Sequence, residues 1–272
     1  MFSTLARRPH RGPAILVTTF ADGFRRLLTA CHGVLCRTRV EMETLIARTR
    51  DPRAGIEAGR RGVSMRVFGN PMSTCTRKVL TTLAEKQVKA ELVVIDLGAG
   101  GHKAADFVAE RQPFGQIPAI EDGDFRLYES RAIIRYLDQT LSGASLTPAD
   151  AKGRALMEQW ISVETSNFTP HAMAIIHQLF FGPMRGTQPD MAKVEEGRTK
   201  LARCVAVLET QLARGPHLLG AQFTLADLCY MPYIEYVTQT ASKDVIEGSP
   251  NVARWWKQIR ERASWKLVTG KA

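Results

Sequence analysis

Cysteine is scarce: the 272-residue chain has five, Cys31, Cys36, Cys75, Cys204 and Cys229. None belongs to a Cys-x-x-Cys pair or a zinc-ligand pattern, and an odd count argues against a disulfide scaffold. Such usage fits a reducing compartment, and a cytoplasmic location is expected. No uninterrupted apolar run approaches the roughly 18 residues of a membrane-spanning helix, so no span is expected. Phosphate-cradling loops are also missing. Gly98-Ala-Gly-Gly101 lacks the later glycine of the dinucleotide pattern and the Lys-Ser/Thr pair of a P-loop. His171 and His177, six apart on an expected helix, do not share a face, so no metal site is expected.

Lysine is absent from the first 64 residues, and that absence locates the charge. The formal net charge of +10 would suggest nucleic acid or an anionic surface if it were evenly spread. Residues 1–64 carry 12 Arg and 5 acidic residues, a net of +7, which leaves +3 for residues 65–272. Beyond residue 64 cations and acids are in ordinary balance, and in the helical half the cations are scattered without interleaved aromatics, so nucleic-acid binding by the core is not expected. An Arg-rich, acid-poor stretch resembles an organelle-targeting leader, could be a basic arm, or could precede a later natural start. Its foreign composition favours an extension that is disordered or not natively translated, with Met65 opening the folded chain.

With 44% apolar residues the chain can bury a substantial core. Met65–Phe68 reads as a strand, Gly69-Asn-Pro71 breaks it, and Val79, Leu80 and Leu83 recur at helical spacing. Ser73 falls at the helix start, where unpaired N–H groups and the macrodipole stabilise an anion. Ala90–Asp96, rich in β-branched residues, reads as a second strand buried on both faces. That order is a βαβ unit. A short polar helix to about Arg111 follows, then Gln112-Pro-Phe-Gly-Gln-Ile-Pro118 ahead of another strand. Asp122-Gly123 is a two-residue hairpin signal, and Ser130 is a natural N-cap for a helix bearing Ile133, Ile134 and Leu137.

Residues 141–149 read as a linker. Helical periodicity covers 150–181, 190–214, 224–237 and 251–262, and Thr224-Leu-Ala-Asp227 is a capping box with Phe223 as a staple. The fold class is therefore α/β plus all-α: a βαβ-α-ββα unit over 65–140 and a helical unit over 150–272.

Six pieces in this order resemble the soluble glutathione transferases, most closely the phi-type branch. They are Ser73-Thr-Cys-Thr-Arg77, His102-Lys103, Pro113-Phe-Gly-Gln-Ile-Pro118-Ala, Glu121-Asp-Gly-Asp, Glu129-Ser-Arg-Ala and Phe223-Thr-Leu-Ala-Asp227. Each alone is weak; their joint spacing is specific. The resemblance implies a thioredoxin-like domain that binds glutathione and a helical domain that walls a pocket for an apolar electrophile. It implies an enzyme of detoxification, and a homodimer.

Position by position, the resemblance implies that Ser73 donates its hydroxyl hydrogen to the glutathione sulfur. Gln116 and the backbone of Ile117, held by cis-Pro118, would pair with the cysteinyl backbone. Glu129 and Ser130 would hold the γ-glutamyl end, and His102 and Lys103 the glycine carboxylate. Met72, Phe168 and Met173 would line the electrophile pocket. No metal is implied. A free thiol ionises near ~8.5, and lowering that by about two pH units needs ~2.7 kcal/mol. One charge-assisted hydrogen bond of roughly 1.5–3 kcal/mol, plus up to ~1 from the helix dipole, is the right size.

Two further functions stay open on the residues: a ligand carrier or interaction protein on the same fold without turnover, and a thiol transferase using Cys75. Cys75 lies two places beyond Ser73 on the helix and points to another face, which favours a packed side chain. Trp255 and Trp256 read as packing.

Overall fold

The computed structural model describes residues 65–271. The Arg-rich stretch 1–64, with its reading as an extension, lies outside the described residues.

Four strands form one mixed sheet in the order β2-β1-β3-β4. β1 (Arg66–Gly69) leads through a Pro-containing turn into α1 (Thr74–Glu85), and β2 (Glu91–Val94) returns parallel to β1. A single-turn 3-10 segment (Gly101–Lys103) and α2 (Ala105–Glu110) lead on to β3 (Ala119–Asp122) and β4 (Phe125–Tyr128), an antiparallel hairpin. Its two-residue loop is Gly123-Asp124, one place beyond the dipeptide read from sequence. Asp122 pairs with Phe125, and Gly123 at φ 64° takes the left-handed position. α3 (Ser130–Thr140) completes this unit.

Alternation along the strands explains the two cores. Val67, Ile120 and Leu127 turn to one face, where Val79 and Leu83 of α1 and Ile133, Ile134 and Leu137 of α3 cover them. Phe68 and Ala119 turn to the other, against Phe107 of α2. β2 is an edge strand, not one buried on both faces: Glu91 and Val94 are exposed. Its β-branched run states pleat propensity, which does not distinguish an edge from a centre.

The helical domain starts at α4 (Ala151–Val163), which continues through a π-turn (Glu164–Phe168) into α5 (Thr169–Ile176) and a second π-turn (His177–Phe181). Then come α6 (Met191–Leu212), α7 (Leu225–Val237), α8 (Pro250–Ile259) and α9 (Ala263–Thr269), with a short turn of helix at Asp244–Glu247 before α8. All thirteen residues of α7 are buried, so it is the central helix. Its start is the capping box: the Asp227 carboxylate accepts from the Thr224 N–H at 3.0 Å and from the Leu218 N–H at 3.0 Å. α7 and α9 both pack on α1. No helix among the described residues is long and apolar enough to cross a membrane.

Candidate functional site

Strand register brings four chain segments to one end of the sheet. Gly69, the last residue of β1, pairs with Val94 at the end of β2, and Phe68 pairs with Ala119 at the start of β3. Ala119 in turn pairs with Tyr128, the last residue of β4. The turn carrying Ser73, the loop leading to His102 and Lys103, the Gln116–Pro118 approach to β3 and the Glu129–Ser130 entry to α3 therefore all lie at the same end of the sheet. Brought together this way are residues up to 57 positions apart in the sequence.

Ser73 is half-buried and is the N-cap of α1, its Oγ accepting the Thr76 N–H at 3.2 Å. A hydroxyl that accepts one hydrogen bond keeps its own hydrogen to donate, so capping and anion binding are compatible in one side chain. The turn before it is tightly specified. Asn70 accepts from Ser73 N–H through its carbonyl at 2.8 Å and from Met72 N–H through its side chain at 3.0 Å. Gly69 is required there, because a Cβ would lie 2.6 Å from the Thr76 side chain. Cys75 is half-buried and interacts electrostatically with Lys78 and Tyr233.

The Ile117–Pro118 peptide bond is cis. Buried Gln112 fixes the preceding loop, its Oε1 accepting from Phe114 N–H at 2.7 Å and Gln116 N–H at 3.1 Å, and the Gln116 side chain is exposed. Lys103 Nζ donates to the Phe114 carbonyl at 3.1 Å, and its stem lies against Gly115. His102 is half-buried with Nδ1 lacking a hydrogen-bond partner.

Glu129 has φ 70° and ψ 107°, a strained conformation for a residue with a Cβ. It is the N-cap of α3, and Ser130, buried, is the first helical residue and not the cap expected from sequence. No side chain caps this helix, so its first N–H groups stay available to a carboxylate.

One buried ionic network underlies both helices. Lys78 of α1 donates to Glu164 Oε1 at 2.9 Å and to the Tyr233 hydroxyl at 3.2 Å. Arg131 of α3 grips the same carboxylate with two bonds of 2.7 and 2.8 Å, and the Thr169 hydroxyl donates a fourth at 2.6 Å. Burial works against every charge here, but mutual attraction outweighs it: Lys78 and Arg131 are held above their ordinary pKa values and Glu164 below its own. The π-turn beginning at Glu164 sets the carboxylate at this junction.

A family model described as Glutathione S-transferase, N-terminal domain matches residues 63–139, and one described as Glutathione S-transferase, C-terminal domain matches residues 169–263. The chain belongs to the glutathione S-transferase family. A glutathione S-transferase of Silene vulgaris is 40% identical over 210 residues, covering 75% of this chain and 96% of that protein. Glutathione S-transferase F13 of Arabidopsis thaliana is 37% identical over 210 residues, covering 76% and 95%. The crystal structure of glutathione transferase F7 from Populus trichocarpa superposes with a TM-score of 0.72 at 37% identity, covering 76% of this chain and 99% of that one. Glutathione S-transferase I from mais, solved in complex with an atrazine glutathione conjugate, gives 0.71 at 31% identity, covering 77% and 98%. These relatives place the chain with the phi-type members of the glutathione S-transferase family.

Of the two helical-domain residues expected to line an electrophile pocket, Phe168 does not fit. Phe168 is wholly buried, packed edge-on to Tyr230 and Tyr233 at centroid distances of 4.9 and 6.4 Å, and presents no surface to a ligand. Met173 is half-buried against the main core. Sequence reasoning missed Phe180 and Phe181, half-buried on the second π-turn and packed at a tilt against Tyr236 with ring centroids 4.6 and 5.2 Å away. Tyr236 reaches the turn before Ser73 through a 2.7 Å hydrogen bond to the Met72 carbonyl, so this aromatic cluster borders Met72. The paired aromatics at the end of a helical run were the available signal. His171 and His177 do line one groove together with Ala174, Gln178 and Lys200: each histidine is three positions from Ala174, so successive i,i+3 steps carry both to the groove although they are not direct neighbours. No group of three metal-ligating side chains occurs among the described residues.

Proposed function

We propose that the protein is a glutathione transferase in which Ser73 donates a hydrogen bond to the glutathione sulfur, and the thiolate so stabilised, its proton released to solvent, attacks an apolar electrophile. The observation that carries this reading is the common end of the sheet. It gathers a hydroxyl at a helix N-terminus, the cis-Pro118 loop, an uncapped helix start at Ser130 and a cation at Lys103.

Each group has a task that its position supports. The backbone of Ile117 and the side chain of Gln116 pair with the cysteinyl residue, orienting the sulfur toward Ser73. Glu129 and Ser130 take the γ-glutamyl end, where the strained turn presents the Glu129 side chain and the helix dipole favours the carboxylate. His102 and Lys103 take the glycine carboxylate. The protein supplies electrostatics and proximity, and the nucleophile is the cosubstrate's own sulfur. Residues 65–140 form the glutathione-binding unit and residues 150–271 the electrophile-binding unit. Met72 of the first unit and Phe180 and Phe181 of the second form the apolar wall, with Met173 behind them. The protein is a cytoplasmic homodimer in this reading, and the exposed pair Phe114 and Tyr128, edge-on at 6.3 Å, offers apolar surface for a second copy.

A conjugation screen across aromatic and aliphatic electrophiles, with wild type and Ser73→Ala side by side, tests the reading. Turnover in the wild type that falls by roughly two to three orders of magnitude in the variant is expected; equal rates in both refute it.

A further inference from the structure

The peptide unit joining Met72 to Ser73 is pinned at both ends. Its N–H donates to the Asn70 carbonyl at 2.8 Å, and its carbonyl accepts the Tyr236 hydroxyl at 2.7 Å. A peptide unit is planar, so fixing both its N–H and its C=O fixes its tilt, and that tilt sets the direction in which the Ser73 side chain leaves the backbone. Other bonds hold neighbouring parts of the turn: Asn70 Nδ2 to the Ile95 carbonyl at 3.0 Å, Asn70 N–H to Thr76 Oγ1 at 3.2 Å, and Arg77 Nε to the Pro71 carbonyl at 2.8 Å. All of those come from the first domain. Among the described hydrogen bonds, the one from Tyr236 alone reaches the turn from the helical domain, across 164 positions of sequence.

Tyr236 is suited to permanent donation. It is 1% exposed, and burial pushes its hydroxyl up to about 12, opposed by Arg77 and reinforced by Glu235, so it keeps its proton at working pH. The Arg77 guanidinium lies 4.6 Å from the ring centroid on one side. Phe180 and Phe181 pack on the same ring. A single side chain thus touches the Ser73 turn with its hydroxyl and the apolar wall with its ring.

We infer that Tyr236 is a positioning residue for Ser73: its hydrogen bond to the Met72 carbonyl aims the Ser73 hydroxyl at the glutathione sulfur and ties that aim to the aromatic wall of the electrophile pocket. This rests on the thiolate-stabilising role proposed for Ser73. The bond makes no contact with glutathione itself, so its loss acts on thiolate stabilisation and leaves the ends of glutathione held as before. Loosening one hydrogen bond in the support weakens the aim without removing the donor. The expected effect is therefore smaller than that of deleting Ser73.

The test follows the thiol of bound glutathione by thiolate ultraviolet absorbance against pH in wild type, Tyr236→Phe and Ser73→Ala, with chlorodinitrobenzene as the electrophile for turnover. Tyr236→Phe removes one oxygen and keeps the ring. It should raise the thiol midpoint by roughly half to one pH unit and lower kcat at neutral pH about 3- to 10-fold, with KM for glutathione within about twofold. The deficit should vanish at alkaline pH, where the thiol ionises unaided. Tyr236→Met, which also removes the hydroxyl donor while a flexible apolar side chain fills part of the ring's space, should shift the midpoint in the same direction and serves if Tyr236→Phe does not fold. A purely structural role would lower stability and leave the midpoint in place. An unmoved midpoint in Tyr236→Phe or its substitute, beside a raised one in Ser73→Ala, overturns the positioning role alone. Unmoved midpoints in all variants overturn it together with the thiolate reading.

Discussion

Lys78 and Glu164 meet at 2.9 Å with both side chains wholly buried, and the pair joins α1, which carries Ser73, to the first π-turn of the helical domain. Arg131, one residue beyond Ser130, closes on the same carboxylate. One carboxylate thus ties together the two helices whose N-terminal ends form opposite parts of the proposed glutathione site. Its four donors come from α1, α3 and α5, so neither domain alone satisfies it.

Removing one partner from such a network leaves the others buried and uncompensated. Glu164→Gln should destabilise the protein by about 3–5 kcal/mol in urea unfolding, because Lys78 and Arg131 keep their charges without a counterion. Adding Lys78→Met to Glu164→Gln should recover part of that loss. A double variant as unstable as the sum of its parts would mean that the two residues act independently.

Acid should act through the same carboxylate. Glu164 is held below the ordinary glutamate value of 4.5, burial opposing the shift and Lys78 and Arg131 driving it. A depressed carboxylate contributes stability that is complete above its unfolded value and is lost as pH falls through its folded one. Unfolding free energy measured across acidic pH should therefore fall steadily below about 4.5 in wild type. In Glu164→Gln the fall should be shallower.

Stability and binding should separate at Glu129. Its φ of 70° and ψ of 107° cost of order 1–3 kcal/mol for a residue with a Cβ, part of which glycine recovers before its own entropy is counted. Glu129→Gly is expected to raise thermal stability slightly while weakening glutathione binding, read by calorimetric titration. A variant that is both less stable and unaltered in binding would place the strain and the ligand contact elsewhere.

The apolar wall gives a prediction of a different kind. Truncating Phe180 to Ala should raise KM for an aromatic electrophile by about 2- to 12-fold, the size of one aromatic contact, and leave KM for glutathione unchanged. Phe168→Ala should instead lower stability by roughly 3–5 kcal/mol, as expected for a sealed core ring. Steady-state kinetics on folded protein distinguishes the two roles.

What the sequence made legible was local. Ser73 after a Pro-containing turn, Pro118 ahead of β3, and the Thr224–Asp227 box are each specified within a few residues, and the structure has the helix start, the cis bond and the cap there. Ser130 was misplaced by one position because the strained Glu129 occupies the cap, a conformation no propensity favours. β2 was misread because β-branched content does not report whether a strand has one neighbour or two. Glu164 and Tyr236 were passed over for a different reason. Their partners Lys78 and Met72 lie 86 and 164 residues away, and the two π-turns that shift the helix face do not follow from a regular helical period.

The most direct measurement of the central claim is the ionisation midpoint of the glutathione thiol when bound to wild type and to Ser73→Ala. Ser73 also caps α1, so the substitution should cost about 1 kcal/mol of stability on that account alone, without touching the thiol. The midpoint separates the two effects. In the wild type it should lie well below the free value of ~8.5, and in Ser73→Ala it should return close to that value while glutathione still binds. A midpoint that is low and equal in both proteins would contradict the account, leaving Ser73 as a helix cap alone.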